Sequence, residues 1–175
     1  MSLTPALDAA GEPPSWTGPV VSATDDRTVE LTDVDQDALC RLLAGVLVAE
    51  GAPDGAEASL FLVDSDRIAE LKAEHLGGDG SPTDVLSFPV DGVSAGAELI
   101  GDVVLCPSVA SLQAPTHTGT VEDELALLVV HGGLHLAGWD HVSEDERAAM
   151  WERERQLLCE LHGSPARDPW GESTT

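Results

Sequence analysis

One stretch restricts this chain more than any other: His131-Gly-Gly-Leu-His135-Leu-Ala-Gly-Trp-Asp-His141, where three metal-binding side chains converge. His131 and His135 are four positions apart, which places them on one helical face about 40° from each other. Gly138 ends the helix, because glycine takes a left-handed backbone with no Cβ penalty. The turn then brings His141 back over the same face. Three neutral imidazoles on one side of a divalent ion leave a fourth position for water, the arrangement of a catalytic zinc site. The expectation is one Zn2+ per chain on His131, His135 and His141, the same three acting in catalysis through the water the metal holds. A helix with a ligand face that must stay dry, and Leu125, Leu128, Val129 and Leu134 on it as well, has to run through the middle of a fold.

At 175 residues the chain suits one domain with a sizeable core. Its formal charge is −24, from 32 acidic and 8 basic residues, with Lys72 the only lysine. Such charge favours solubility and repels phosphate backbones at long range. A salt-rich cytoplasm would account for it. Cys40, Cys106 and Cys159 are odd in number and far apart, which fits a reduced, cytoplasmic setting. The start has no basic and apolar leader pattern, and no apolar run suggests a membrane span.

Residues 1–27, rich in Pro, Gly, Ser and acid, read as a flexible lead-in. Val29–Leu31 is a short strand candidate. Thr32 or Asp33 then caps a helix with Leu39, Leu42, Leu43, Val46 and Leu47 at helical spacing. Ser59–Val63 reads as a buried strand, and Ser65 as the cap of a second helix carrying Ile68 and Leu71. Asp84–Phe88 and Leu99–Cys106 make an antiparallel pair. Pro107 begins a helix that Pro115 stops. Thr120 caps the histidine helix. Ser143-Glu-Asp-Glu146 is a capping box opening a last helix, with Met150, Trp151, Leu157, Leu158 and Leu161 inward. The fold class is α+β: a single domain with a four-stranded mixed sheet, about five helices and the histidine helix at its centre. Its domain spans 28–163, followed by a loosely held tail, 164–175.

A zinc ion on three histidines polarises an oxygen ligand and lowers the pKa of bound water toward 7, which suits hydrolysis. The peptidase motif His-Glu-x-x-His needs a glutamate where this chain has Gly132, so peptidase chemistry of that kind is disfavoured. Asp140, Asp102 and Asp84 are candidates to accept the ligands' second N–H, and Ser87 lies on a strand that could line the cleft. His75 and His117 read as surface residues, and Trp139 as a core anchor beside the metal.

HGGLHLAGWDH resembles the YbeY family signature HGxLHLxG(Y/W)DH, and two more blocks match in order: Pro82-Thr-Asp-Val-Leu-Ser-Phe-Pro89 and Leu99-Ile-Gly-Asp-Val-Val-Leu-Cys-Pro107. The likeness covers roughly residues 28–162. It implies a zinc-dependent, single-strand-specific endoribonuclease of rRNA processing, in 16S rRNA 3′-end maturation and ribosome quality control. It also implies His131, His135 and His141 as the zinc ligands. The implied partners are ribosomal RNA, the small ribosomal subunit, ribosomal proteins and the Era GTPase, with no membrane. Many members carry an arginine just ahead of the PTDVLSFP block. Here Leu76 is the nearest counterpart, and no Lys or Arg occurs between Lys72 and Arg147. Two other readings stay open: a ribosome-assembly factor with structural zinc and little or no catalysis, and a metal hydrolase of another substrate.

Overall fold

The structure, a computed structural model, describes residues 17–29 and 32–171. Strand β1 is Val20–Asp25, helix α1 Gln36–Ala49, β2 Glu57–Leu62, α2 Ser65–Leu76, β3 Val85–Pro89 and β4 Leu99–Leu105. Helix α3 is Pro107–Gln113, followed by a 3-10 turn at Ala114–Thr116, then α4 Val121–Leu136 and α5 Glu144–Leu161. The sheet has the order β1-β2-β4-β3, with β1, β2 and β4 parallel and β3 antiparallel to β4. The expected four-stranded mixed sheet and five helices are therefore present.

Two cores form because each strand alternates its side chains between faces. Ala58, Leu60 and Leu62 of β2 join Ile100, Val103 and Leu105 of β4 in the larger core, under α1, α4 and α5. Val104 and Leu86 point the other way and join Val63, Ile68 and Cys106 in a smaller core, where Leu71 of α2 also packs. Ile100 and Val103 share a face although three positions separate them. A bulge explains this: β2 steps from Leu99 to Gly101 of β4 between Glu57 and Ala58.

Helix α4 lies between the sheet and α1, buried along almost all its length. Thr120 caps it as expected, accepting from the Asp123 N–H at 3.1 Å. Its passage through the core depends on a glycine pair. A Cβ on Gly132 would lie 2.9 Å from Val103 Cγ1 and 3.2 Å from Ser87 Oγ, and one on Gly133 would lie 2.9 Å from Val46 Cγ1. One glycine admits the sheet and the next admits α1.

Several boundaries differ from the sequence reading. The lead-in to residue 27 is interrupted by β1, whose Val20 N–H donates to Ala56 O at 2.8 Å. The strand placed at Val29–Leu31 falls mostly outside the described residues, and the strand beside β2 is Val20–Asp25 instead. Helix α1 starts later than Thr32 or Asp33: Asp35 caps it, accepting from Ala38 N–H at 2.9 Å. Asp64, not Ser65, occupies the cap position of α2, and its carboxylate accepts both the N–H and O–H of Thr28. On α5 the capping box is present, but Trp151 and Leu161 are each 44% exposed, and Glu154 takes an inward place beside Met150, Leu157 and Leu158. The described part of the tail, residues 164–171, is docked as well. Ala166 N–H donates to Asp123 Oδ2, and Arg167 N–H to Thr118 O at 2.7 Å.

Because Val103 and Ser87 leave no room above Gly132, Gly132→Val should destabilise the protein by about 1–3 kcal/mol, the usual cost of overpacking a core. Urea denaturation checks this, with a lowered midpoint at unchanged slope as the expected result.

Candidate metal centre

The three histidines meet where α4 ends. Ala137 closes the helix and Gly138 follows at φ 92°, the left-handed position that turns the chain back so that His141 faces the helical pair. The donor atoms of His131, His135 and His141 all lie within 4.8 Å of one another, with the first two half-buried and His141 exposed. Ring centroids are 4.6 Å apart for His131 and His135, and 4.9 Å for His135 and His141.

Hydrogen bonds at the far side of each ring decide what the near side offers. His135 Nδ1 is 2.9 Å from Trp139 O, and a carbonyl only accepts, so Nδ1 carries the proton. His131 Nδ1 is 2.5 Å from Glu154 Oε1, again an acceptor for an N–H. Both Nε2 atoms then present lone pairs, and they face each other at 3.0 Å. Two acceptors at that distance repel unless a proton or a metal ion lies between them. Zinc–nitrogen bonds of about 2.0–2.1 Å in a tetrahedron set neighbouring donors about 3.3 Å apart, so the His131–His135 pair fits such an ion, and His141, within 4.8 Å of both, closes on it with a small movement of its exposed ring.

Burial, above all, and the neighbouring His131 hold the pKa of His135 below its ordinary value; His141 adds to this, while the Trp139 carbonyl and Asp140 oppose it. A neutral ring is the form a metal takes.

The carboxylate that meets the triad is one the sequence reading missed. Glu154, on α5 and 3% exposed, lies 23 residues from His131 in the chain. Its signal was its place in the apolar stripe Met150, Leu157 and Leu158. The three candidate acids make contacts of their own. Asp140 accepts the backbone N–H of His141 at 2.7 Å, and Asp84 accepts from its neighbours Val85 N–H and Thr83 O–H. Asp102 sits in β4 in register with Phe88 and Ser59. Ser87 does border the helix, donating to Gly132 O at 3.4 Å.

Trp139 packs against the core and donates its indole N–H to Glu50 Oε2 at 2.8 Å, and the other Glu50 oxygen accepts from Arg153 Nε. His75 stands edge-on to Phe88 with centroids 5.1 Å apart. His117 is not a free surface residue: its Nδ1 lies 2.9 Å from Glu124, a carboxylate with no solvent exposure that also accepts the Thr118 hydroxyl. Leu76 is 65% exposed at the end of α2. The flanking bases are engaged elsewhere. Lys72 Nζ is 3.3 Å from Ser81 Oγ, and Arg147 lies over the Trp151 ring. A broad depression of about 1070 Å³ lies at the other end of α4, floored by Leu39, Leu125 and Ala126, and contains none of the triad.

A family profile described as Endoribonuclease YbeY matches residues 22–162. The chain belongs to the YbeY family. A relative from Salinispora tropica named Endoribonuclease YbeY is 44% identical over 147 residues, covering 77% of this chain and 93% of its own. One of the same name from Micrococcus luteus is 41% identical over 143 residues, covering 78% and 90%. A solution structure of a Thermotoga maritima protein superposes with a TM-score of 0.53 at 27% identity, covering 82% of this chain and 88% of the other. The match of the YbeY profile begins inside β1, consistent with that strand being part of the domain. Among the described residues no helix is long and apolar enough to cross a membrane.

The depressed pKa of His135 has a consequence for stability. An unfolded chain takes the proton first, near pH 6.5, so this contribution is complete above that pH and is lost as pH falls toward the folded value. Urea midpoints of the metal-free protein should therefore drop on acidification below about pH 6.5, and less steeply in His135→Ala.

Proposed function

We propose that this YbeY-family chain is a zinc-dependent endoribonuclease that cuts single-stranded ribosomal RNA in the cytoplasm, in maturation of the 16S 3′ end and in ribosome quality control. The observation that carries the metal half of this reading is the pair of Nε2 lone pairs facing each other at 3.0 Å, with His141 completing a three-nitrogen donor set. The RNA half rests on family membership and on the relatives' printed name, Endoribonuclease YbeY.

When bound, zinc supplies Lewis acidity toward a phosphodiester and its attacking water. The chain's own residues do the rest. Glu154 and the Trp139 carbonyl hold the proton of each ring at Nδ1, so that Nε2 is free to ligate. Gly132 keeps a peptidase-type glutamate out: its position faces Val103 and Ser87, where a longer side chain has no space. That favours a phosphodiester over a peptide as substrate.

Binding of RNA by a chain of charge −24 needs an explanation, because phosphate contacts supply much of the affinity of RNA-binding proteins. With Lys72 and Arg147 turned to Ser81 and Trp151, the substrate is best delivered by a partner. The small ribosomal subunit, with ribosomal proteins or the Era GTPase, is that partner in this reading. The same shortage of cations favours the second reading, an assembly factor whose zinc is structural.

Zinc-loaded protein should cleave small-subunit RNA, naked or within the subunit, and His135→Ala should lose at least about a hundredfold of that rate, as expected when a metal's catalytic contribution is removed. Gel analysis of RNA ends is the measurement. If neither protein cuts either substrate while both still co-sediment with small subunits, the assembly-factor reading replaces the nuclease.

A further inference from the structure

We propose that the C-terminal segment is part of the metal centre: Trp170, acting through Glu154, fixes the tautomer of His131 and so sets how tightly the site holds its ion. This rests on the metal-binding reading above and adds to it two positioning residues, one of them outside the stretch matched by the family profile.

Glu154 is an anomaly on α5. It is almost wholly buried, yet its two oxygens are met by ring nitrogens and not by an Arg or Lys. Oε1 faces His131 Nδ1 at 2.5 Å, and Oε2 accepts the Trp170 indole N–H at 3.0 Å. Burying a carboxylate is costly unless its oxygens are satisfied, so these two donors are what make the position tenable. The tail that delivers the indole is held at several points. Asp168 accepts the backbone N–H of Trp170, Arg167 Nη1 donates to Pro115 O at 2.7 Å, and the Arg155 guanidinium lies 5.2 Å from the Trp170 ring.

The reason for this arrangement lies in a competing state. Left to itself, the His131–His135 pair has an easy way to satisfy its facing nitrogens: His131 takes the other tautomer, and its Nε2–H donates across the 3.0 Å gap to His135 Nε2. That hydrogen bond closes the site, because both donor lone pairs are then withdrawn. A carboxylate at Nδ1 selects against it, since Oε1 demands a proton on Nδ1. Trp170 occupies the second oxygen and keeps the carboxylate in place. The device is therefore a relay from the tail, through Glu154 and His131, to the ion.

Substitutions at the relay have unlike consequences. In Glu154→Gln the amide oxygen is claimed by the Trp170 N–H, which turns the NH2 toward His131 and drives the proton to Nε2. In Trp170→Phe the carboxylate remains, but it loses its second donor. In the double variant the introduced amide has no indole to satisfy and can turn its oxygen to His131. A packing role alone predicts no such recovery.

The test measures zinc affinity of the full chain by competition with a chromogenic chelator, alongside 15N spectra of the metal-free protein that report which His131 nitrogen bears the proton. Glu154→Gln should bind zinc about 10–100-fold more weakly and carry the proton on Nε2. Trp170→Phe should lose less, up to about tenfold, and the double variant should return toward the Trp170→Phe value. Wild-type affinity in both single variants, with the proton still on Nδ1, overturns the proposal while leaving the metal site standing. Failure of the wild-type chain itself to take up zinc overturns the metal reading and this relay with it.

Discussion

Two imidazole nitrogens held 3.0 Å apart, each with its proton committed to the opposite side of the ring, create a demand for a cation that the rest of the molecule serves. The demand arises from three elements at once. Helix α4 supplies both rings, the turn after Gly138 supplies the Trp139 carbonyl and His141, and α5 supplies Glu154. None of these could meet the others if α4 did not run through the centre of the domain. The position of α4 follows in turn from Gly132 and Gly133, whose missing side chains let it approach the sheet on one side and α1 on the other.

Packing by itself fixes the helix that carries two of the ligands. Leu125, Leu127, Leu128, Val129, Val130, Leu134 and Leu136 of α4 are all buried, and each such side chain is worth about 1.5–3 kcal/mol when removed from water. Small zinc domains, by contrast, borrow folding energy from the metal. Here the ligands are presented by an element already fixed by packing, which limits the reorganisation needed at the moment of binding. Burial also disfavours the protonated form of His135, the form that cannot ligate.

What could be read from the sequence was whatever local chemistry controls. The histidine spacing, the Thr120 cap, the left-handed turn at Gly138 and the capping box at Ser143–Glu146 are all short-range patterns, and all are present. What escaped depended on partners far away in the chain. Strand β1 is a six-residue edge strand, VVSATD, half-exposed, and its strand character comes from parallel pairing with β2. Glu154 sits in a run of charges, ERERQ, that looks like a solvated face until its register with Met150, Leu157 and Leu158 is counted. Asp140, Asp102 and Asp84 lie inside the motif blocks, which makes them candidates on the page of the sequence; Asp140 and Asp84 accept from adjacent backbone and Asp102 sits in its strand. Trp170 followed a Pro and an Asp in a polar tail, a context that says nothing of the α5 carboxylate it reaches.

The YbeY signature block and the geometry of the histidines bear on the same three side chains, the one through their spacing in the chain and the other through proton placement. The central claim is that His131, His135 and His141 together hold one zinc ion. X-ray absorption at the zinc edge of the loaded protein tests it most directly. The account predicts three imidazole nitrogens at about 2.0–2.1 Å, with a lighter oxygen ligand completing the shell and no sulfur. Sulfur scattering at about 2.3 Å, or a shell with fewer than three imidazoles, would contradict it.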